Sequence, residues 1–243
     1  MTFATYPSLA GRVVFISGGA TGIGADLVRA FARNRARVAF VDVQAEAGEA
    51  ALFLEGDVTD TPSLQGAIEQ TRATLGPIGV LINNAANDER HRIDEVTPEY
   101  WDKSQNVNVR HHFFAAQAVR PQMRELGSGS IVNLSSIAWR GGAPDMPAYA
   151  AAKAAVVGLT NALARALGPD NIRVNAIEPG AVMTERQRRL WYRTQEEVAA
   201  LAQRQSIKKT LFGEDVARMA LFLGADDSRM VTKQSIAVDA GLR

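Results

Sequence analysis

The sequence predicts an α/β fold, a doubly wound parallel sheet with helices on both faces. Three observations predict it. Short β-rich runs alternate with Ala-rich helical stretches along all 243 residues. Several of the runs are almost wholly apolar, as parallel strands buried on both faces must be. A glycine-rich turn joins the first run to the first helical stretch, and strands alternating with helices require right-handed crossovers.

The elements follow in order. Strands are predicted at 12–17, 37–41, 52–55, 80–83, 130–134, 173–177 and 235–238. A helical pattern at 25–34 follows the glycine turn. Asp60-Thr61-Pro62 and Thr97-Pro98 each place a capping side chain before a proline suited to the first helical position. His111-His112 fall in a helical pattern beside Phe113-Phe114, and an Ala-rich helix runs on from Tyr149. Gly213-Glu214-Asp215 puts carboxylates in the positively polarised first turn of an apolar helix. Polar segments at 87–95 and 181–209 read as loops or lids. There is no repeat and no linker, so a single domain over 1–243 is expected, with a substrate lid around 181–210.

Apolar residues make up 47% and charged residues 22%, an ordinary globular balance. Lys and Arg number 27 against 26 Asp and Glu, so no global field recruits nucleic acid or a membrane surface. No apolar run approaches a membrane span, and no basic patch precedes an apolar leader. A cytoplasmic protein is therefore expected. The absence of cysteine excludes disulfides and thiolate metal sites. His111 and His112 have no carboxylate at ligand spacing, and no metal is expected.

Gly18, Gly22 and Gly24 are spaced G-x-x-x-G-x-G, enclosing Thr21 and Ile23. Glycines there allow positive φ and close backbone approach, and a helix N-terminus can receive a pyrophosphate. Asp42 closes the second strand, where an acid accepts hydrogen bonds from ribose hydroxyls. Its charge would repel a 2′-phosphate by about 1 to 4 kcal/mol, which favours NAD over NADP.

Tyr149 and Lys153 stand at i and i+4 and can share a helix face. A phenol with pKa about 10 is a poor base near neutrality. A neighbouring cation is expected to lower that value, so the pair could take a proton from a hydroxyl as hydride leaves. Ser135-Ser136 follow an apolar strand whose carboxyl end should face the ligand crevice.

These motifs resemble the short-chain dehydrogenase/reductase family along nearly the whole chain, which implies a Rossmann-like sheet. The segment from Ser17 to Gly24 resembles the family's cofactor loop, with Ser17 where Thr is commoner. Asp57-Val58 resembles the pair that contacts adenine. Asn83-Asn84-Ala85-Ala86 resembles Asn-Asn-Ala-Gly, with Ala86 replacing glycine. Asn108 matches the asparagine that holds a proton-relay water. Ser136, thirteen positions before Tyr149, matches the catalytic serine, and Tyr149 and Lys153 match the catalytic pair. Pro179-Gly180, Val182 and Thr184 resemble the segment beside nicotinamide. The resemblance implies NAD as cofactor and a homotetramer. Two departures stand out. Only fifteen positions, with one short helical stretch, separate Asp42 from Asp57, and Lys233 and Ala240 occupy positions where glycine is usual.

Asn87-Asp88-Glu89-Arg90-His91, Ser136-Ile137-Ala138-Trp139 and Thr184-Glu185-Arg186-Gln187 resemble the branch that oxidises sugars. The substrate contacts expected are Asn87, Ser136, Trp139, Arg140, Tyr149, Glu178, Arg186 and Gln187. Trp139 or Trp191 could cover an apolar sugar face. Oxidation of an aldose at C1 to the lactone is the expected reaction. The alternatives are oxidation of a secondary hydroxyl on a deoxy-sugar acid gripped by Arg186, or reduction of an apolar ketone or acyl substrate. A cofactor-binding protein without turnover conflicts with the Ser136, Tyr149 and Lys153 set.

Overall fold

A computed structural model describes residues 4–44 and 51–243. The short helical stretch expected after Asp42 falls largely on 45–50, outside the described residues. Seven strands form one sheet: β1 (Val13–Ser17), β2 (Arg37–Asp42), β3 (Ala51–Glu55), β4 (Ile78–Asn83), β5 (Gly129–Leu134), β6 (Ile172–Pro179) and β7 (Ser235–Val238). Their order is β3-β2-β1-β4-β5-β6-β7, and every pairing is parallel. The chain reverses its direction of winding between β1 and β4. Such a reversal opens a crevice at the carboxyl ends of the strands.

The helices cover both faces. On one face α1 (Gly22–Arg33) and α9 (Gly213–Gly224) bury Leu27, Phe31, Val216 and Leu221 against Val14, Ile16 and Val80. On the other, α2 (Thr61–Leu75), α4 (His111–Glu125) and α6 (Pro147–Leu167) bury Leu64, Ile68, Val119 and Ala164 against Val13, Phe15 and Leu81. The period-two split of β1, with Val14 and Ile16 on one side and Val13 and Phe15 on the other, explains why its sequence is apolar throughout.

The remaining helices serve the carboxyl edge. They are α3 (Pro98–Gln105), the short α5 (Ala138–Gly141), α7 (Glu185–Leu190) and α8 (Gln195–Arg204). A π-helical turn, Asn106–Arg110, links α3 to α4. Beneath α7 and α8, Met183, Val198 and Leu201 form a small apolar cluster with Ala181, Tyr192 and Leu242. The segment that carries α7 and α8 thus has packing of its own.

Strand β6 runs two residues beyond the predicted end, to Pro179, because Glu178 and Pro179 register against Ala237 and Val238 of β7. Lys233 and Ala240 both adopt left-handed backbone, at φ 62° and 54°. This accounts physically for the glycine usual at these positions, since a β-carbon is disfavoured there. The Lys233 N–H still donates to the Val174 carbonyl at 2.8 Å. Lys233→Gly is therefore expected to stabilise the protein by up to about 1 kcal/mol. A rise in the urea midpoint at unchanged slope is the measurement.

Candidate active site

The glycine turn lies where β1 meets the crevice. Gly18 and Gly22 have φ of 71° and 56°. A β-carbon on Gly18 would stand 2.8 Å from the Ala85 Cα, and one on Gly24 would stand 1.7 Å from the Gly18 carbonyl oxygen. The turn is pinned to the end of β4. The Ser17 hydroxyl accepts from the N–H groups of Asn84 and Ala85, at 3.0 and 3.1 Å, and the Asn84 amide donates to the Gly18 carbonyl at 2.7 Å. Serine thus serves where threonine is commoner, because only the hydroxyl is used. Thr21 precedes α1 without capping it, and the first turn holds no acidic residue. The first turn, which includes Ile23, keeps N–H groups that no side chain satisfies, as an anion site requires.

Asp42 ends β2 beside this turn. Its carboxylate accepts from the Ala20 and Gln44 N–H groups at 2.9 and 3.2 Å. Asp57 accepts from Thr59 N–H at 2.8 Å, and Val58 next to it is buried. At the far wall, Gly180 donates to the Val238 carbonyl and Val182 bridges to Leu211. The Thr184 side chain lies over Gly22, with its Cγ2 3.3 Å from where a β-carbon would be. A pyrophosphate-linked dinucleotide fits this donor set: a closed glycine cradle, an uncapped helix start and a carboxylate on the second strand.

Ser135 and Ser136 follow β5 and diverge. Ser135 is buried and donates to the Lys153 backbone carbonyl at 2.7 Å. Ser136 accepts from Ala138 N–H at 3.1 Å and hydrogen-bonds Tyr149. Lys153 is 1% exposed, and its ammonium donates to the Leu134 carbonyl at 2.8 Å. That nitrogen is 5.6 Å from the centre of the Tyr149 ring.

Charge at this centre departs from the expectation that Lys153 lowers the Tyr149 pKa. Burial pushes the Tyr149 phenol above its ordinary 10, Asp88 pushes the same way, and the Ser136 hydrogen bond opposes both. Burial also brings Lys153 down from 10.5 to about 7, against the pull of Asp88. Desolvation outweighs pairing because the ammonium bonds a neutral carbonyl rather than the phenol.

The π-helical turn aims Asn108 inward. Its side-chain oxygen accepts from Asn87 N–H at 2.9 Å, and its amide donates to the Asn87 carbonyl at 3.1 Å and the Ser104 hydroxyl at 3.3 Å. Beside it lies Asp88, which sequence reasoning left out of the site. Arg186 donates to Asp88 at 3.0 Å and to the Asn87 side chain at 3.2 Å, while Gln187 donates to the other Asp88 oxygen at 2.5 Å. Helix α7, capped by Thr184, is thereby tied to the loop after β4.

Two of the expected substrate residues, Glu178 and Arg140, are paired with each other. Glu178 is wholly buried, with both oxygens engaged by Arg140. Ser235 also donates to it, and Arg243 lies 3.8 Å away. Arg140 is spent on this pair and on stacking 4.5 Å over Trp139. The two residues lock α5 to β6 and β7, and Glu178 has no exposed oxygen left for a ligand. Trp191 in turn lies under the Arg90 guanidinium at 4.1 Å. Arg90, also overlooked from sequence, pairs with Asp145 at 3.0 Å.

Residues 18–243 match the family model described as "Enoyl-(Acyl carrier protein) reductase". The chain belongs to the short-chain dehydrogenase/reductase family, oxidoreductases that act on CH–OH groups. It is 47% identical to the "Probable galactose dehydrogenase GalD" of Rhizobium meliloti, over 98% of this chain and 97% of that one. It is 43% identical to the D-xylose 1-dehydrogenase of Caulobacter vibrioides, with both chains covered completely. Its fold superimposes on ligand-free Thermoplasma acidophilum aldohexose dehydrogenase with a TM-score of 0.93 at 24% identity, covering 98% of this chain and 96% of that one.

Behind the site, His111 and His112 are buried and adjoin Lys153. His111 reaches the Ala85 carbonyl at 3.0 Å, and His112 reaches the Asn133 side chain at 3.3 Å. Burial holds His111 down from 6.5 to about 3, and His112 well below 6.5. Unfolded chains bind these protons near 6.5 and the folded protein does not. Stability is thus present above 6.5 and is lost as pH falls toward 3. A His111→Asn/His112→Asn variant is expected to show a shallower fall of Tm with acidification than the parent protein, read by calorimetry across that range.

Proposed function

We propose that this chain oxidises an aldose at its anomeric carbon to the lactone, with NAD as the oxidant. The observation that carries the reading is the meeting of Ser136, Tyr149 and Lys153 beside the glycine cradle. The similarity to galactose and xylose dehydrogenases supports the sugar assignment.

When bound, the nicotinamide supplies the hydride acceptor. Gly18, Thr21, Gly22, Ile23 and Gly24 would hold its pyrophosphate at the start of α1. Asp42 would take the ribose hydroxyls, and Asp57 and Val58 the adenine. Asn84, Ala85, Pro179, Gly180, Val182 and Thr184 would line the nicotinamide side, with Lys153 on its ribose. Ser136 holds the reacting oxygen and Tyr149 takes its proton as the C1 carbonyl forms. Because burial and Asp88 hold the phenol protonated, turnover in the oxidative direction rises toward alkaline pH. Asn108 supports a water path from Lys153.

Asn87 and Trp139 would face the sugar, while Gln187 holds Asp88 beside them. Arg186 is ion-paired to Asp88, so it offers no free guanidinium to a substrate carboxylate, and the neutral aldose is favoured over a sugar acid. Residues 1–243 act as one domain with a lid at 181–210. No described helix is long and apolar enough to cross a membrane, and we place the enzyme in the cytoplasm. Phe113 on α4 and Met230, both exposed, supply apolar surface for a homotetramer.

Tyr149→Phe is expected to abolish NADH formation on galactose, xylose and arabinose while NAD still binds by calorimetric titration. Retained turnover, or a preference for aliphatic alcohols, overturns the reading. Asp42→Ser is expected to shift the kcat/KM ratio toward NADP by about tenfold or more, as a 2′-phosphate is no longer repelled.

A further inference from the structure

Helix α6 carries both Tyr149 and Lys153, yet its own sequence does not cap it. Met146 occupies the capping position and has no side-chain acceptor for the first N–H groups, and Pro147 follows. The N–H of Ala148, immediately before Tyr149, is met instead from 57 residues away: it donates to Nε2 of His91 at 3.3 Å. The Ala148 carbonyl is gripped as well, by the side-chain amide of Gln105 at 3.1 Å.

His91 is itself held on every side. Its Nδ1 lies 2.9 Å from the Tyr100 hydroxyl and 3.1 Å from the Glu89 carbonyl. The Tyr100 ring packs on it at 4.9 Å. Its backbone N–H donates to the Asp145 carbonyl at 2.8 Å, and the neighbouring Arg90 pairs with the Asp145 carboxylate. Accepting from Ala148 requires the lone pair on Nε2, so the partners assign the proton to Nδ1. One imidazole thus ties together the loop that carries Asn87 and Asp88, helix α3 that leads to Asn108, and the first turn of α6.

We propose that His91 is a positioning residue that caps the catalytic helix in trans and fixes Tyr149 against Ser136. The inference rests on the proposed role of Tyr149 and Lys153. The requirement is for an acceptor at the reach of Nε2, which glutamine also supplies and phenylalanine does not. Phenylalanine keeps the packing on Tyr100 and deletes the Nε2 acceptor together with the Nδ1 donor to Tyr100 and Glu89, whereas glutamine restores only an acceptor within reach of Ala148.

The test compares His91→Phe and His91→Gln in the full-length protein. Two readouts are used: hydrogen exchange of the peptide spanning 147–153, and steady-state kinetics with NAD and the best aldose. His91→Phe is expected to speed exchange at the start of α6 by about tenfold, the scale of a lost helix cap, and to lower kcat by about three- to tenfold with the KM for NAD unchanged. His91→Gln is expected to restore both. Parental exchange in His91→Phe, equal impairment of the two variants, or faster exchange with parental kcat each overturns the proposal. Failure of the underlying assignment shows separately, as retained turnover in Tyr149→Phe.

Discussion

A parallel sheet can be buried on both faces only if every crossover returns outside it, and that places all seven strand ends on one edge. The residues of the site follow from this constraint. Ser17 and Gly18 leave β1, Asp42 ends β2, Asn84 and Ala85 leave β4, Ser135 and Ser136 leave β5, and Pro179 closes β6. They come from distant parts of the chain and meet because the strands share a direction. The helices then have a division of labour. α1 and α9 fill one face, α2 and α4 the other, and α6 both covers the sheet and delivers Tyr149 and Lys153 to the edge.

Within that frame, bonds to the backbone do most of the positioning. The Ser17 hydroxyl takes two N–H groups of the β4 loop, Ser135 takes the Lys153 carbonyl, and Lys153 takes the Leu134 carbonyl. Each bond joins one strand end to a neighbouring element. A buried ammonium satisfied by a neutral carbonyl is costly to keep charged, and this is why its proton is loosely held. Strength of attachment and readiness to exchange a proton come from the same burial.

The fold and the cofactor end were legible in the sequence because their signals are local. Apolar runs, a glycine spacing, and a Tyr and Lys one helical turn apart can all be read within a few residues. Long-range polar pairs are what the sequence does not announce. Glu178 sits beside a cofactor motif and looked like a substrate ligand, but its partner Arg140 is 38 residues away and the strand register that buries it depends on β7. Asp88 has no local partner to mark it, since Arg186 lies 98 positions on. Arg90 and His91 gain meaning only from Asp145 and Ala148. No periodicity announces such pairs, because they arise where loops from different crossovers are brought to one edge.

The ion pair between Asp88 and α7 also has a consequence for how the protein meets its medium. Arg186 is nearly half exposed where it grips Asp88, so dissolved ions screen that grip. The Lys153 ammonium lies deeper, at 1% exposure, where ions barely reach. Ionic strength therefore acts on the contact between α7 and the loop after β4 and far less on the buried Lys153. A surface ion pair and a buried ammonium a short distance apart thus answer to different properties of the same solution.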